Sequence, residues 1–259
     1  ALAEQLVEHA RNSASIMKGG TPMVIARQHE DVKVIIEQMA QRLGTPLVGG
    51  GADWNAYASV GSMSLQVFTR SFNLPPPALF GAHQIENAGL AAATLLNWGD
   101  RRITSHALAT GMTSVQWRAR LEPLTGGPLH KLAAGAEIWV DCGRNEQAAV
   151  SLAQALRDMA RKRPATTAAI IGSRARDWRS FVRILAAETD LVVGVPISVE
   201  GAPAALIAEA AQIAGVNGVA ADTLRAAVTL ARERGAERML ICGSTTIAGD
   251  ALVGSRPIA

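Results

Sequence analysis

The stretch Thr167-Ala168-Ala169-Ile170-Ile171-Gly172, followed across a helical segment at 177–189 by Leu191-Val192-Val193-Gly194-Val195, decides the fold. Each end segment is a short apolar run with a glycine at or next to its end, the pattern of a strand buried on both faces. Between them Phe181, Val182, Ile184 and Leu185 recur at helical spacing. Strand, helix, strand over fewer than thirty residues is a βαβ unit, and it implies a parallel sheet. The same alternation extends in both directions. Upstream lie a strand at 136–141 and a helix at 147–161. Downstream lie a helix at 204–214, a short strand at 216–219, a helix at 221–234 with Asp222 as its capping candidate, and a last strand at 239–243. The expected architecture is α/β: a Rossmann-like, doubly wound and mostly parallel sheet. In such sheets ligands sit at the carboxyl ends of the strands. The residues that follow the strands, 141–145, 173–176 and Gly243-Ser244, therefore carry the functional expectation.

The first part of the chain is less regular. A helix is expected at 3–16, a strand at 22–26, an amphipathic helix at 31–42 and a strand near 46–48, ended by Gly49-Gly50-Gly51. Partial alternation over 56–72 suggests hairpins, and Pro75-Pro76-Pro77 makes a rigid connection. Helices follow near 83–96 and 104–111. The boundary between two domains falls near 113–117, giving 1–114 and 115–259.

Composition narrows the function. At 259 residues, 49% hydrophobic and 18% charged, the chain is folded rather than disordered. Its apolar runs fall short of a membrane span, so no membrane partner is expected. A balance of 25 basic to 22 acidic residues and only 4% aromatics argue against nucleic acid. Two cysteines, Cys142 and Cys242, cannot build a disulfide framework and suit a reducing cytoplasm. Neither the cysteines nor the five histidines have metal-ligand spacing.

Five segments, in order, resemble the folylpolyglutamate synthase/dihydrofolate synthase branch of the Mur ligase superfamily. Ile16-Met17-Lys18-Gly19-Gly20-Thr21-Pro22 is similar to the family's K-x-G-x-P segment. Gly81-Ala82-His83-Gln84-Ile85-Glu86-Asn87-Ala88 is similar to G-x-H-Q-x-x-N-A and is the most specific match. Trp117-Arg118-Ala119-Arg120-Leu121 falls on W-P-G-R-L, Val140-Asp141-Cys142-Gly143-Arg144-Asn145 on L-D-G-A-H-N, and Leu240 to Asp250 on the motif that carries Gly-Ser. The resemblance runs from about residue 5 to residue 253. It implies that 1–114 is the C-terminal part of a P-loop-type ATPase domain and 115–259 the C-terminal ligase domain. It implies an ATP-dependent amide ligase that adds L-glutamate to a pteroate or folate carboxylate through an acyl phosphate, with ATP and Mg2+ as the cofactors.

By that resemblance Asn87 lies near adenine, where an amide both donates and accepts; the plainer alternative is an amide bonded to the local backbone. Gln84 would orient Asn87, and His83 would cap or pack. Arg120 would reach the ATP phosphates, for which a guanidinium fork is suited; the alternative is a solvated linker arginine. Asp141 would hold ribose hydroxyls, or cap the helix that follows. Glutamate would dock near Asn145 and Ser244, with Arg144 beside them. There are also departures. Ser13 stands where the family has a lysine, carbamylated in many members, that helps hold magnesium, so no metal ligand is assigned here. Arg144 replaces the motif histidine, and Arg118-Ala119 replaces Pro-Gly. The sequence has no Gly-x-x-x-x-Gly-Lys-[Ser/Thr] loop. The resemblance places that phosphate cradle upstream of residue 1, or on a second chain that supplies the P-loop half. The chain alone is then expected to be inactive. The alternative function is a catalytically degenerate binding or scaffolding subunit.

Overall fold

The computed structural model describes residues 14–253. Most of the expected first helix, and Ser13 with it, lies outside them. The chain divides into two compact units. One runs to Ala78 and resumes over Ala82–Gln116; the other joins Leu79–Gly81 to the chain from Trp117 onward.

The first unit starts with a parallel pair, β1 (Met23–Ile25) and β2 (Leu47–Gly49), joined by α1 (Glu30–Leu43). Gly44 ends α1 in the left-handed region at φ 64°, and its N–H bonds back to Ala40 and Gln41 carbonyls. Met17, Ile36 and Ala40 form a small core with partly buried Met23 and Leu47. An antiparallel meander follows: β3 (Trp54–Ser59), β4 (Ser62–Val67) and β5 (Arg70–Leu74). The hairpins expected over 56–72 are thus present and slightly longer. β4 alternates strictly, burying Met63, Leu65 and Val67. These side chains pack with Trp54, Ala92, Ala93, Leu108 and Met112, so α2 (His83–Trp98) and α3 (Ser105–Ser114) cover one face of the meander.

The second unit is a six-stranded sheet in the order β10-β9-β8-β11-β7-β6. Its elements in chain order are β6 (Glu122–Pro123), α4 (Gly127–Ala133), β7 (Glu137–Val140), α5 (Glu146–Lys162), β8 (Thr167–Ile171), α6 (Trp178–Ala186), β9 (Leu191–Gly194), α7 (Ala204–Ile213), β10 (Asn217–Ala220), α8 (Leu224–Glu233), β11 (Arg238–Cys242) and α9 (Thr245–Val253). β7 through β11 are parallel, and β6 adds an antiparallel edge on β7. β8, β9 and β11 are buried at every residue, as their apolar runs require.

The two faces of this sheet carry separate cores. Ala169, Ile171, Val192 and Leu240 pack on one side against Leu152 of α5, Phe181 of α6 and Ile207 of α7. Ala168, Ile170, Val193 and Ile241 pack on the other against Leu129 of α4, Val228 of α8 and Ile247 of α9. Seating α7 depends on two glycines. A Cβ at Gly194 would lie 2.2 Å from the Ala204 carbonyl oxygen, and one at Gly218 would lie 2.0 Å from that of Ala208.

Some boundaries differ from the sequence reading. α8 is capped by Thr223, not Asp222: Thr223 is extended at φ −144°, and its side chain accepts the Ala226 N–H. That geometry lets the hydroxyl reach the third residue of the helix, as an N-cap must. The helix after β7 is capped by Asn145, whose Oδ1 accepts the Ala148 N–H at 2.9 Å, and not by Asp141. The elements α4, α9 and β6 are additional to the sequence reading.

Candidate functional site

Strand order positions the site. β7 and β8 each lead into a helix on one face, α5 and α6. β11 lies between these two strands and leads into α9 on the opposite face. In open α/β sheets, loops that part in opposite directions mark the place at the strands' carboxyl ends where ligands bind.

Three loops meet there through backbone bonds. The Gly243 N–H donates to the Gly143 carbonyl at 2.9 Å, and the Gly172 N–H donates to Cys242 at 3.1 Å. Ser244 is buried; its hydroxyl donates to the Gly172 carbonyl at 2.9 Å and accepts the Ile247 N–H at 3.2 Å. Ser244 thus ties the end of β8 to the start of α9. Arg144 and Asn145 lie exposed on the rim, together with Arg174 and Arg176.

Asp141 is only 6% exposed. Its Oδ1 accepts the Gly143 N–H at 2.6 Å, and its Oδ2 accepts the Leu121 N–H at 2.8 Å, twenty residues away. The carboxylate therefore anchors the Trp117–Leu121 turn to the end of β7. Close by, burial pushes the Cys242 thiol well above its usual pKa, and the Asp141 charge adds to the effect, so this sulfur stays protonated.

The Trp117–Leu121 turn has unusual backbone. Ala119 at φ 56° and Leu121 at φ 46° are both left-handed without being glycine, a conformation that costs about 1–2 kcal/mol per residue. Three further bonds hold it. The Ala119 N–H donates to Glu122 Oε2 at 2.8 Å, the Arg118 guanidinium pairs with the same carboxylate at 2.7 Å, and the Ala119 carbonyl accepts the Cys142 N–H at 3.0 Å. At the centre of the turn Arg120 lays its guanidinium over the exposed Trp117 ring, 5.3 Å from the centroid.

The candidates in the first unit form a chain on the first turns of α2. Asn87 is exposed, and its Nδ2 donates to Gln84 Oε1 at 3.1 Å. Gln84 is buried, with its Nε2 3.0 Å from His83 Nε2, a hydrogen bond when the imidazole carries its proton on Nδ1. One turn on, a Cβ at Gly89 would lie 2.5 Å from the Ala56 side chain and 2.9 Å from the Trp54 ring, so α2 packs closely on β3 through that glycine. The candidates thus form two groups: His83, Gln84 and Asn87 in the first unit; Arg120, Asp141, Arg144, Asn145 and Ser244 in the second. Glu122 is a residue that the motifs do not mark. Its only sequence signal is an acid two positions beyond Arg120.

The first unit also holds a cleft of about 700 Å³ lined by Arg27, Lys33, Glu37, Asp53 and the Gly49–Gly51 turn. The N–H groups of Gly50 and Gly51 donate to the Ile25 and Trp54 carbonyls, so the triplet is not a phosphate cradle. Among the described residues no group of three or more His, Cys, Asp or Glu could hold a metal ion. The described residues thus provide no cage built of protein ligands alone.

No protein-family model matches the chain, and no curated protein sequence matches it. Its fold does match solved structures. Escherichia coli FolC in complex with DHPP and ADP superposes with a TM-score of 0.80, at 22% identity, over 95% of this chain and 56% of that one. Mycobacterium tuberculosis folylpolyglutamate synthase complexed with ADP and AMPPCP gives 0.78 at 21% identity, over 97% of this chain and 60% of that one. The bifunctional folylpolyglutamate synthase/dihydrofolate synthase from Yersinia pestis, complexed with AMPPNP and Mn ion, gives 0.76 at 19% identity, over 95% and 56%. The fold is that of the folylpolyglutamate synthases over a little more than half of their length. No described helix is long and apolar enough to cross a membrane.

Proposed function

We propose that the chain is a portion of an ATP-dependent amide ligase that adds L-glutamate to a pteroate or folate carboxylate. In that chemistry the carboxylate takes the γ-phosphoryl group of ATP and ADP leaves. The glutamate amine then attacks the acyl phosphate and phosphate departs. The observation that carries the reading is the Asn87 amide, exposed in the most specific motif and oriented by buried Gln84. It can read an adenine edge, which needs both a donor and an acceptor. Arg120, stacked on Trp117, would meet the phosphates. Asp141 would act by holding the Arg120 turn, and any ribose contact would be additional to its two backbone bonds. Arg144 and Asn145 on the rim would receive the glutamate carboxylates, with Ser244 supporting the loops from beneath.

A second reading, a catalytically degenerate binding or scaffolding subunit, is favoured by Arg144 in place of the motif histidine and by Arg118-Ala119 in place of Pro-Gly. Calorimetry with ADP separates the two. The ligase reading expects ADP to bind and Asn87→Ala or Arg120→Ala to weaken it about tenfold or more, the worth of a hydrogen bond to a charged or well-oriented partner. It also expects ligase turnover only when a P-loop is supplied, upstream on the same polypeptide or on a second chain. A folded chain indifferent to ADP overturns the ligase reading and leaves the scaffold.

A further inference from the structure

Glu122 lies outside the motifs, yet it holds a segment in which left-handed backbone, a cation and an exposed ring coincide. We propose that Glu122 is the positioning residue for Arg120: its carboxylate holds the Ala119 N–H, fixes the left-handed turn, and so presents the Arg120 guanidinium over Trp117. The proposal rests on the ligase reading only for the purpose of that guanidinium, not for its geometry.

The turn is over-determined. Left-handed alanine and leucine persist only where neighbours enforce them. Leu121 is enforced by Asp141 at its N–H and by burial of its side chain at 1% exposure. Ala119 is enforced at its carbonyl by Cys142 and at its N–H by Glu122. Arg120 lies between the two, so its Cα direction follows from both. Its guanidinium has no carboxylate partner among the described residues and lies over the Trp117 ring. A stack on an exposed ring is worth about 0.5–1 kcal/mol, too little to hold an arginine unless the backbone already aims it. Glu122 can do this because it starts β6: its own backbone is paired with Val140, while its side chain turns back over the turn. Arg118, paired with the same carboxylate, holds it in place over the turn.

The test follows the Arg120 Nε–H proton in 1H–15N spectra of the full chain, because a ring beneath it shifts the resonance. Trp117→Ala marks the unstacked position. Glu122→Ala should move the signal to that position, and Glu122→Gln, which keeps an acceptor, should leave it near the wild-type shift. Glu122→Met, of equal length and without an acceptor, repeats the test should the alanine variant melt early. A signal that stays put in a folded Glu122→Ala or Glu122→Met chain overturns the proposal. ADP calorimetry on the same samples separates it from the ligase reading. If ADP binds, Glu122→Ala should weaken it about tenfold and add nothing to Arg120→Ala; full additivity overturns the proposal. If ADP does not bind while the resonance still moves, the positioning stands and the ligase reading falls.

Discussion

Asp141 shows how a residue can satisfy one expectation and reveal another. Its position after a strand was legible in the sequence; its two backbone partners were not, because Leu121 lies twenty residues away and the bond depends on the turn that brings it back. Replacing Asp141 by Asn leaves one acceptor for two inward N–H groups. A buried donor without a partner costs about 1–3 kcal/mol, and urea denaturation should show Asp141→Asn destabilised by that amount with an unchanged slope. Ala119 teaches a similar lesson from the other side. Glycine there would relieve the left-handed strain, but it would remove a methyl that is only 7% exposed and packed in the core. Strain and burial are each about 1 kcal/mol and oppose one another. That near-balance shows how alanine can occupy a place where the resembling motif has glycine.

At the scale of elements, the parallel strands were legible because burial on both faces leaves a continuous apolar signature in β8, β9 and β11. α4, α9 and β6 left none. α4 is seven residues opened by Gly127-Pro128, and β6 is two residues containing a proline, too short for any period to show. The choice between Asp222 and Thr223 as a cap rests on backbone angles that composition does not carry. β7 and β11 are also joined at their amino ends by charge. Arg238, 2% exposed, donates to Glu137 at 3.0 Å and to the Arg163 carbonyl at 3.2 Å. Burial pushes the Glu137 carboxyl up, but bonds from Arg238, Trp139 and Arg163 outweigh it and hold the group below its usual value. A carboxyl lowered by folding adds stability that is present above its unfolded pKa, near 4.3, and is lost as pH falls through the folded value. The melting temperature should therefore decline as pH drops below about 5. Glu137→Gln should flatten that decline while lowering stability at neutral pH. Glu137 is partly exposed, so added salt should shrink the effect. An unchanged acid limb in the variant would contradict the assignment.

For the whole molecule, the second unit has its own two-sided core and should fold without the first. A polypeptide spanning 117–259 should give a cooperative melt, and limited proteolysis of the full chain should cut between about 111 and 127 and leave a resistant C-terminal piece. A resistant N-terminal piece instead would contradict this. The excised unit lacks Leu79–Gly81, so Trp139 loses the Phe80 ring that lies 4.9 Å away. That contact is worth about 0.5–1.5 kcal/mol, and the excised unit should melt lower than one that retains it.

The two margins of the six-stranded sheet have a consequence for how the protein behaves in a crowd. At one margin β6 offers two residues, one of them Pro123, which has no N–H to give. At the other, the carbonyl of Gly218 in β10 is already taken by the Gln212 side chain at 2.7 Å. A stray strand from another chain would find a missing donor on one side and an occupied acceptor on the other. Each margin of this apolar sheet thus offers an intruding strand a broken ladder, which disfavours edge-to-edge pairing.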